Sequence, residues 1–448
     1  MNRSGAWCAF AASLCAAACG GAPPGGGAPP GSDGAPPSVL LVTLDTTRAD
    51  HLGAYGSPSG ATPHLDALAA RGILFEQAFA VAPMTLPAHA SLLTARLPTR
   101  TGLRWNGEQR LARSPAKMPT LAERFRAGGY ATAAFVSAAV LDRAFGLDRG
   151  FDRYDADVAG TAETADTAGT GDIADIADKP STWKAERPAR ETVDRALAWL
   201  ADQPVERPVF LWVHLFEPHD PYLPPEPFAA RFRDDPYSGE LAAADDAVGS
   251  LLASPRFRPD ARAVVSVIGD HGESLGEHGE ATHGILLNEA ALRVPWILAA
   301  ADLAPRRLAT AVSQVDLAPT LLALAGQAPL AAASQLDGVD LAAHLRGDAG
   351  PRARTLYAES LYANHLYGWT PLASTRRGDF KWIAGKRGEL FDFVADPDER
   401  RDLAATSPAE AGALARALDE FGARASTPAE VAAADVDSTL AANLRSLG

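Results

Sequence analysis

Four polar segments, each following an apolar run, hold most of the chain's reactive side chains. They are Asp45-Thr46-Thr47-Arg48-Ala49-Asp50-His51; the stretch from Met84 to Thr94, with Thr85, His89 and Ser91; the stretch from His214 to Tyr222, with His219 and Asp220; and Gly269-Asp270-His271-Gly272-Glu273, followed by Glu277-His278-Gly279 and Thr282-His283-Gly284. Seven of the ten histidines fall inside them, more than structural duty accounts for. Asp45, Asp270 and His271 offer two carboxylates and one imidazole, a divalent-metal set that leaves a position open. A hydroxyl in that position would be activated for attack, because a cation stabilises the alkoxide. The remaining histidines would hold the oxygens of an anionic substrate. Glu277 and Asp220 are further candidates to touch metal or substrate. Spacing alone does not choose among Thr46, Thr85 and Ser91 as the hydroxyl.

The apolar runs must position these segments. SVLLVTLD, YATAAFVS, PVFLWVHLF, AVVSVIGD and VPWILAA read as buried strands. Between them TPHLDALAARG, MPTLAERFRAGG and ETVDRALAWLADQ carry helical spacing. This alternation predicts an α/β fold with helices on both faces of a mostly parallel sheet, the polar segments sitting at the carboxyl ends of its strands. Residues 38–349 form the catalytic domain in this reading, interrupted by an Ala/Asp/Thr/Gly stretch at 155–182 that reads as a mobile insertion. RTLYAESLY, PLASTRRGDFKWIAG and GELFDFV predict a small antiparallel-sheet subdomain at 350–403, followed by a helical tail at 404–448.

The formal charge of −14 argues against a nucleic-acid partner. Cys8, Cys15 and Cys19 are the only cysteines, so a chain cleaved near Cys19 has no disulfide. Residues 1–19 read as a signal peptide. The run AAAC ending at Cys19 resembles a bacterial lipoprotein cleavage site, although Ala16 stands where Leu is usual; plain signal cleavage is the alternative. Residues 20–37, mostly Gly, Pro and Ala, read as a flexible tether. The expected location is the cell envelope, with membrane attachment only through a lipid at Cys19.

From about Val39 to about Leu403 the chain resembles the sulfatase family of the alkaline phosphatase superfamily. The matching pieces include LDTTRADHLGAYG, TPHLDALAARG, TLPAHASLLTARLPTR, HLFEPHDPYLPP, GDHGESLGEHG, THGILLNEAALRVPWIL and ELFDFVADPDERRDLA, in the family's order. The resemblance implies an alkaline-phosphatase-like fold, a metal held by Asp45, Asp270 and His271, and Thr85 at the nucleophile position and on the metal. It makes His219 a contact to the ester's oxygens and sets His283 where a substrate-binding lysine is common.

The chain departs from the family where sulfatases carry Cys/Ser-x-Pro-Ser-Arg. Here Thr85-Leu86-Pro87-Ala88-His89 stands instead. Thr is not a precursor of the formylglycine aldehyde, so none is expected, and His89 replaces the arginine with a titratable group. A Thr nucleophile resembles the phosphodiesterase and phosphoglycerol-transferase branches of the superfamily, and favours phosphorus over sulfur. The expectation is therefore a hydrolase of anionic sulfuric or phosphoric esters with one divalent metal (Ca, Mg, Mn or Zn), acting on a small-molecule, glycan or lipid ester. A transferase passing the group to an alcohol and an inactive relative that binds anionic glycans are the alternatives.

Overall fold

The computed structural model describes residues 35–107, 109–112, 118–158, 186–331, 335–348, 350, 353–423, 432–438, 440–441 and 444. The lipoprotein cleavage site, nearly all of the 20–37 tether and the insertion from residue 159 onward lie outside them. Nine strands form the central sheet: Ser38–Leu44 (β1), Ile73–Phe79 (β2), Ala131–Val136 (β4), Arg153–Asp155 (β5), Val209–Leu215 (β6), Ala263–Gly269 (β7), Arg293–Ala300 (β8), Arg306–Leu308 (β9) and Val312–Ser313 (β10). Their order is β10-β2-β8-β7-β1-β6-β4-β5, with β9 also on β2; a two-residue pair, Gln109–Arg110 (β3) with Ala432–Ala433 (β15), stands apart. Neighbours are parallel except β8, which runs against both β7 and β2.

Side chains alternate along β1. Val39 and Leu41 join Phe210, Trp212 and Ile268 in one core, whereas Leu40 and Val42 join Leu211, Val213 and Val265 in the other. Both faces of the strand are thus buried, which is why the sequence reads as an unbroken apolar run rather than an alternating one. Helices Thr85–Thr94, Leu121–Ala127 and Leu317–Leu324 cover the first face. Pro63–Arg71, Ala189–Ala201 and Pro236–Ala253 cover the second.

Asp155 does not belong to the insertion. It closes β5 and is buried against Arg187 and Arg195. Its acidic, Ala/Asp-flanked sequence hides a strand end whose charge is neutralised by residues far along the chain.

Leu356–Ser360 (β11), Leu372–Arg377 (β12), Phe380–Ala384 (β13) and Glu389–Asp392 (β14) form a four-stranded antiparallel sheet, as the alternation predicts. Helix Pro408–Ala423 packs on it, its Leu414 carbonyl accepting from Thr375 Oγ1 at 2.9 Å. Lys381, 1% exposed, ties this sheet to the catalytic layer. Its ammonium donates to Leu287 O at 2.9 Å and to Glu289 at 3.0 Å, and pairs with buried Glu399. Lys381→Met would leave these carboxylates short of a counter-charge inside the protein. We expect it to cost about 3–5 kcal/mol of stability, measured by urea unfolding.

Candidate active site

Strand register brings the site together. Leu44 lies opposite Leu215 on one side and Gly269 on the other, so the residues that follow meet at one sheet edge. The Asp45 amide donates to Leu215 O at 3.0 Å, and the Asp270 amide to Leu44 O at 3.1 Å. Thr46 then takes a left-handed conformation (φ 43°), and Tyr237 fixes the turn. The Tyr237 hydroxyl donates to Thr46 O at 2.7 Å and accepts the Arg48 amide at 3.0 Å.

Thr85 is the first residue of its helix, and the next amide, on Leu86, donates to Asn106 Oδ1 at 2.9 Å. The Thr85 hydroxyl lies 3.5 and 3.4 Å from the two Asp45 oxygens and 3.4 Å from His271 Nε2. Ligand atoms of Asp45, Asp270 and His271 all fall within 4.8 Å of one another. Thr46 and Ser91, the other hydroxyls that spacing allowed, are buried with Oγ atoms that find no partner, and neither is bonded to this group.

Proton placement decides which nitrogens could hold a cation. A carbonyl can only accept, so His271 Nδ1, 3.0 Å from Gly272 O, carries the ring proton and leaves the Nε2 lone pair facing Asp45 and Thr85. Asp270 Oδ2 is buried with no hydrogen-bond partner. Burial and the Asp45 charge push the Asp270 carboxyl well above the usual range. Burial would raise Asp45 too, but the close approach of His214 and the field of His271 outweigh it and hold Asp45 below the usual range. Two buried carboxylates, one orphaned oxygen and one inward lone pair fit a divalent cation.

His89, His214 and Asp270 also cluster within 4.8 Å, which invites a second ion. Their protons argue against one. His89 Nδ1 donates to Thr85 O at 2.8 Å, while its Nε2 accepts from Thr43 Oγ1, itself the acceptor of Trp212 Nε1–H at 3.0 Å. His214 Nδ1 accepts the Ser137 amide at 3.4 Å, so its Nε2–H faces Asp45 Oδ2 at 3.3 Å. Both inward nitrogens therefore carry hydrogen and would orient neighbouring ligands rather than bind metal.

This corrects the reading of His89 as titratable cationic support. Burial first, then His214, pushes it down to about 3, so the ring is neutral and holds the Thr85 backbone. We expect His214→Ala to weaken Mn²⁺ binding by about 10–100-fold. His214→Gln, whose amide reaches the Nε2 position, should recover most of it. Electron paramagnetic resonance titration of free Mn²⁺ measures both.

On the open side, His283 Nδ1 donates to Glu273 Oε1 at 3.1 Å. Burial would lower His283, but the Glu273 charge and hydrogen bond raise it. His219 Nδ1 donates to Asp220 O at 2.8 Å, and its ring stacks on Phe216 and meets His283 edge-on at 5.1 Å. Burial, then the neighbouring His283, lowers His219. The two rings thus differ: Glu273 favours the protonated form of His283, whereas burial favours the neutral form of His219. Glu240 anchors the His219 loop by accepting the amides of His219 (3.0 Å) and Leu223 (2.6 Å).

Glu277 turns away to Arg48 at 2.6 Å, and Asp220 contributes its carbonyl rather than its carboxylate. The sequence reading assigned no role to Glu273, although it stands in the GDHGE piece. An acid two residues after His271, with a histidine ten residues further on, was the available signal.

The sulfatase family model matches residues 37–327. The Delta 4,5-hexuronate-2-O-sulfatase of Bacteroides thetaiotaomicron is 24% identical over 82% of this chain and 84% of its own. The choline-sulfatase of Rhizobium meliloti is 26% identical, with 82% of each chain covered. The solved phosphonate monoester hydrolase of Agrobacterium radiobacter superposes with a TM-score of 0.69 at 22% identity, covering 87% of this chain and 96% of that one. With the family model spanning well over half of its residues, the chain belongs to the sulfatase family of the alkaline phosphatase superfamily.

Proposed function

We propose that Thr85 is the nucleophile of this hydrolase of anionic sulfuric or phosphoric esters, and that Asp45, Asp270, His271 and Thr85 hold one divalent cation. The observation that carries this reading is the Thr85 hydroxyl, 3.4 Å from both a carboxylate oxygen and the unprotonated His271 nitrogen at a helix N-terminus. When bound, the cation would lower the pKa of the Thr85 hydroxyl and draw charge from the ester's oxygens. Two carboxylates with one imidazole suit Mg, Mn, Ca or Zn.

The Thr85 hydroxyl gives up its proton to solvent as Oγ attacks phosphorus or sulfur, and the bond to the alcohol oxygen breaks. His283, its Nδ1–H committed to Glu273, gives that oxygen the proton it carries at Nε2. His219 Nε2, unprotonated, then accepts a proton from the water that releases Thr85 and the inorganic anion. Glu273→Gln should lower kcat about 100-fold for alkyl esters. It should change kcat little for 4-nitrophenyl esters, whose leaving group needs no proton; comparing the two series measures it.

The related proteins include sulfatases and phosphonate hydrolases by name, so the nucleophile decides the lean. A threonine forms no aldehyde, and its phosphoryl ester is a stable intermediate, which favours phosphorus. Export with a lipid at Cys19 completes the proposal and rests on sequence alone. Steady-state hydrolysis of 4-nitrophenyl sulfate, phosphate, a phosphodiester and a phosphonate monoester, after chelation and with added metals, tests the reaction class. Metal-restored turnover of the phosphorus esters is expected; turnover of sulfate alone would transfer the reading to sulfur.

A further inference from the structure

We propose that the Arg104–Gly107 loop and the segment from Tyr362 to Trp369 form a stacking subsite for the alcohol half of the substrate, and that this half is an uncharged ring. The proposal rests on the anionic-ester reading above. Both segments are fastened to reactive residues. Asn106 accepts the amide of Leu86, next to Thr85. On the other side, Ser360 donates to the carbonyl of Gly284, next to His283, and a Cβ at Gly284 would lie 3.5 Å from the Tyr362 ring.

Between these anchors the rings of Trp105 and His365 stack at 3.6 Å with a 30° tilt, joining loop to helix. Tyr367 and Trp369 pair at 5.6 Å and stand 59% and 58% exposed, beside exposed Leu366. Such a run of exposed apolar faces, on a segment fastened beside His283, marks a surface that a ligand covers.

The charges point the same way. Among the described residues beside the site, Arg48, Arg104 and Arg293 are each already bonded. Arg48 holds Asp50 and Glu277, Arg104 grips buried Glu359 through two bonds of 2.7 and 2.5 Å, and Arg293 donates to Glu76 O. Arg48 and Arg104 are thus matched by carboxylates already in place. A polyanionic chain would therefore meet aromatic faces and, over the whole protein, a charge of −14.

Calorimetric titration of the full-length protein with Mn²⁺ tests this using phosphonates whose P–C bond resists hydrolysis. Phenylphosphonate and a glucosylmethylphosphonate are compared with methylphosphonate and with a disulfated disaccharide. At least one ring ligand should bind about tenfold tighter than methylphosphonate, and the tighter of the two identifies an aryl or a sugar ring. Trp369→Ala with Trp105→Ala should erase that advantage and leave methylphosphonate unchanged. Equal affinity of ring and methyl ligands, or tightest binding of the disulfated disaccharide, overturns the subsite alone. Failure of methylphosphonate to bind overturns the ester-site reading and the subsite with it.

Discussion

Replacing Thr85 with Ala should lower kcat/KM for the best ester by on the order of 10⁴-fold, with substrate affinity little changed. The side chain is 3% exposed and occupies the first turn of a helix whose next nine residues are also buried. Removing its hydroxyl and methyl group leaves that packing, the Asn106 bond to Leu86 and the His89 bond to the Thr85 carbonyl intact. The loss would thus be one of chemistry, since among the described residues no other hydroxyl is bonded to both Asp45 Oδ and His271. Thr85→Ser keeps the oxygen but frees χ1, because serine lacks the β-branch that restricts threonine. About tenfold loss is expected, the scale of imperfect orientation. Steady-state kinetics on both variants, with circular dichroism as the folding control, measures this. Equal activity of wild type and Thr85→Ala would remove Thr85 from the mechanism.

The second large effect concerns Asp270. Asp270→Asn should abolish metal binding at micromolar concentration and with it turnover, while making the chelated protein more stable near neutral pH. The sign follows from proton uptake. In the folded, metal-free chain Asp270 is pushed well above the usual range by burial and by Asp45. The unfolded chain releases that proton near pH 4. Between these pKa values the native state binds more protons than the unfolded state, so stability falls as pH rises. Asparagine removes that fall.

Wild type should therefore gain several degrees in Tm when Mg²⁺ or Mn²⁺ is added, because the ion binds only the folded state. Asp270→Asn should melt at one temperature with or without metal, above that of chelated wild type. Thermal melts across pH, with and without chelator, read all of this. A variant still stabilised by metal would show that the cation sits elsewhere.

How much was legible in the sequence depended on how each feature is written there. β1, β6 and β7 are buried on both faces, so their apolar runs stood out, and Asp45, Asp270 and His271 could be read from the polar residues that end β1 and β7. β2 was missed because Glu76 and Gln77 interrupt it at an irregularity in its pairing with β8. Helix Pro236–Ala253, which supplies Tyr237 and Glu240, was missed because it is buried around much of its girth and rich in Ala, Asp and Gly, leaving little amphipathic signal. Thr85 was singled out only by resemblance, since its nearness to Asp45 comes from packing between segments forty residues apart. His89 was misread for a related reason. Burial and then His214 keep it uncharged, and Thr43 fixes its tautomer; neither residue is near it in the chain. The tautomers that argue for one cation rather than two likewise belong to the fold.

The most direct measurement is to quench the enzyme in acid during turnover of a 4-nitrophenyl phosphorus ester, digest it, and locate the transferred group by mass spectrometry. A phosphoryl group is expected on the peptide containing Thr85, absent from Thr85→Ala. A phosphoryl group on another residue, or a burst of 4-nitrophenol with Thr85 unmodified, would contradict it.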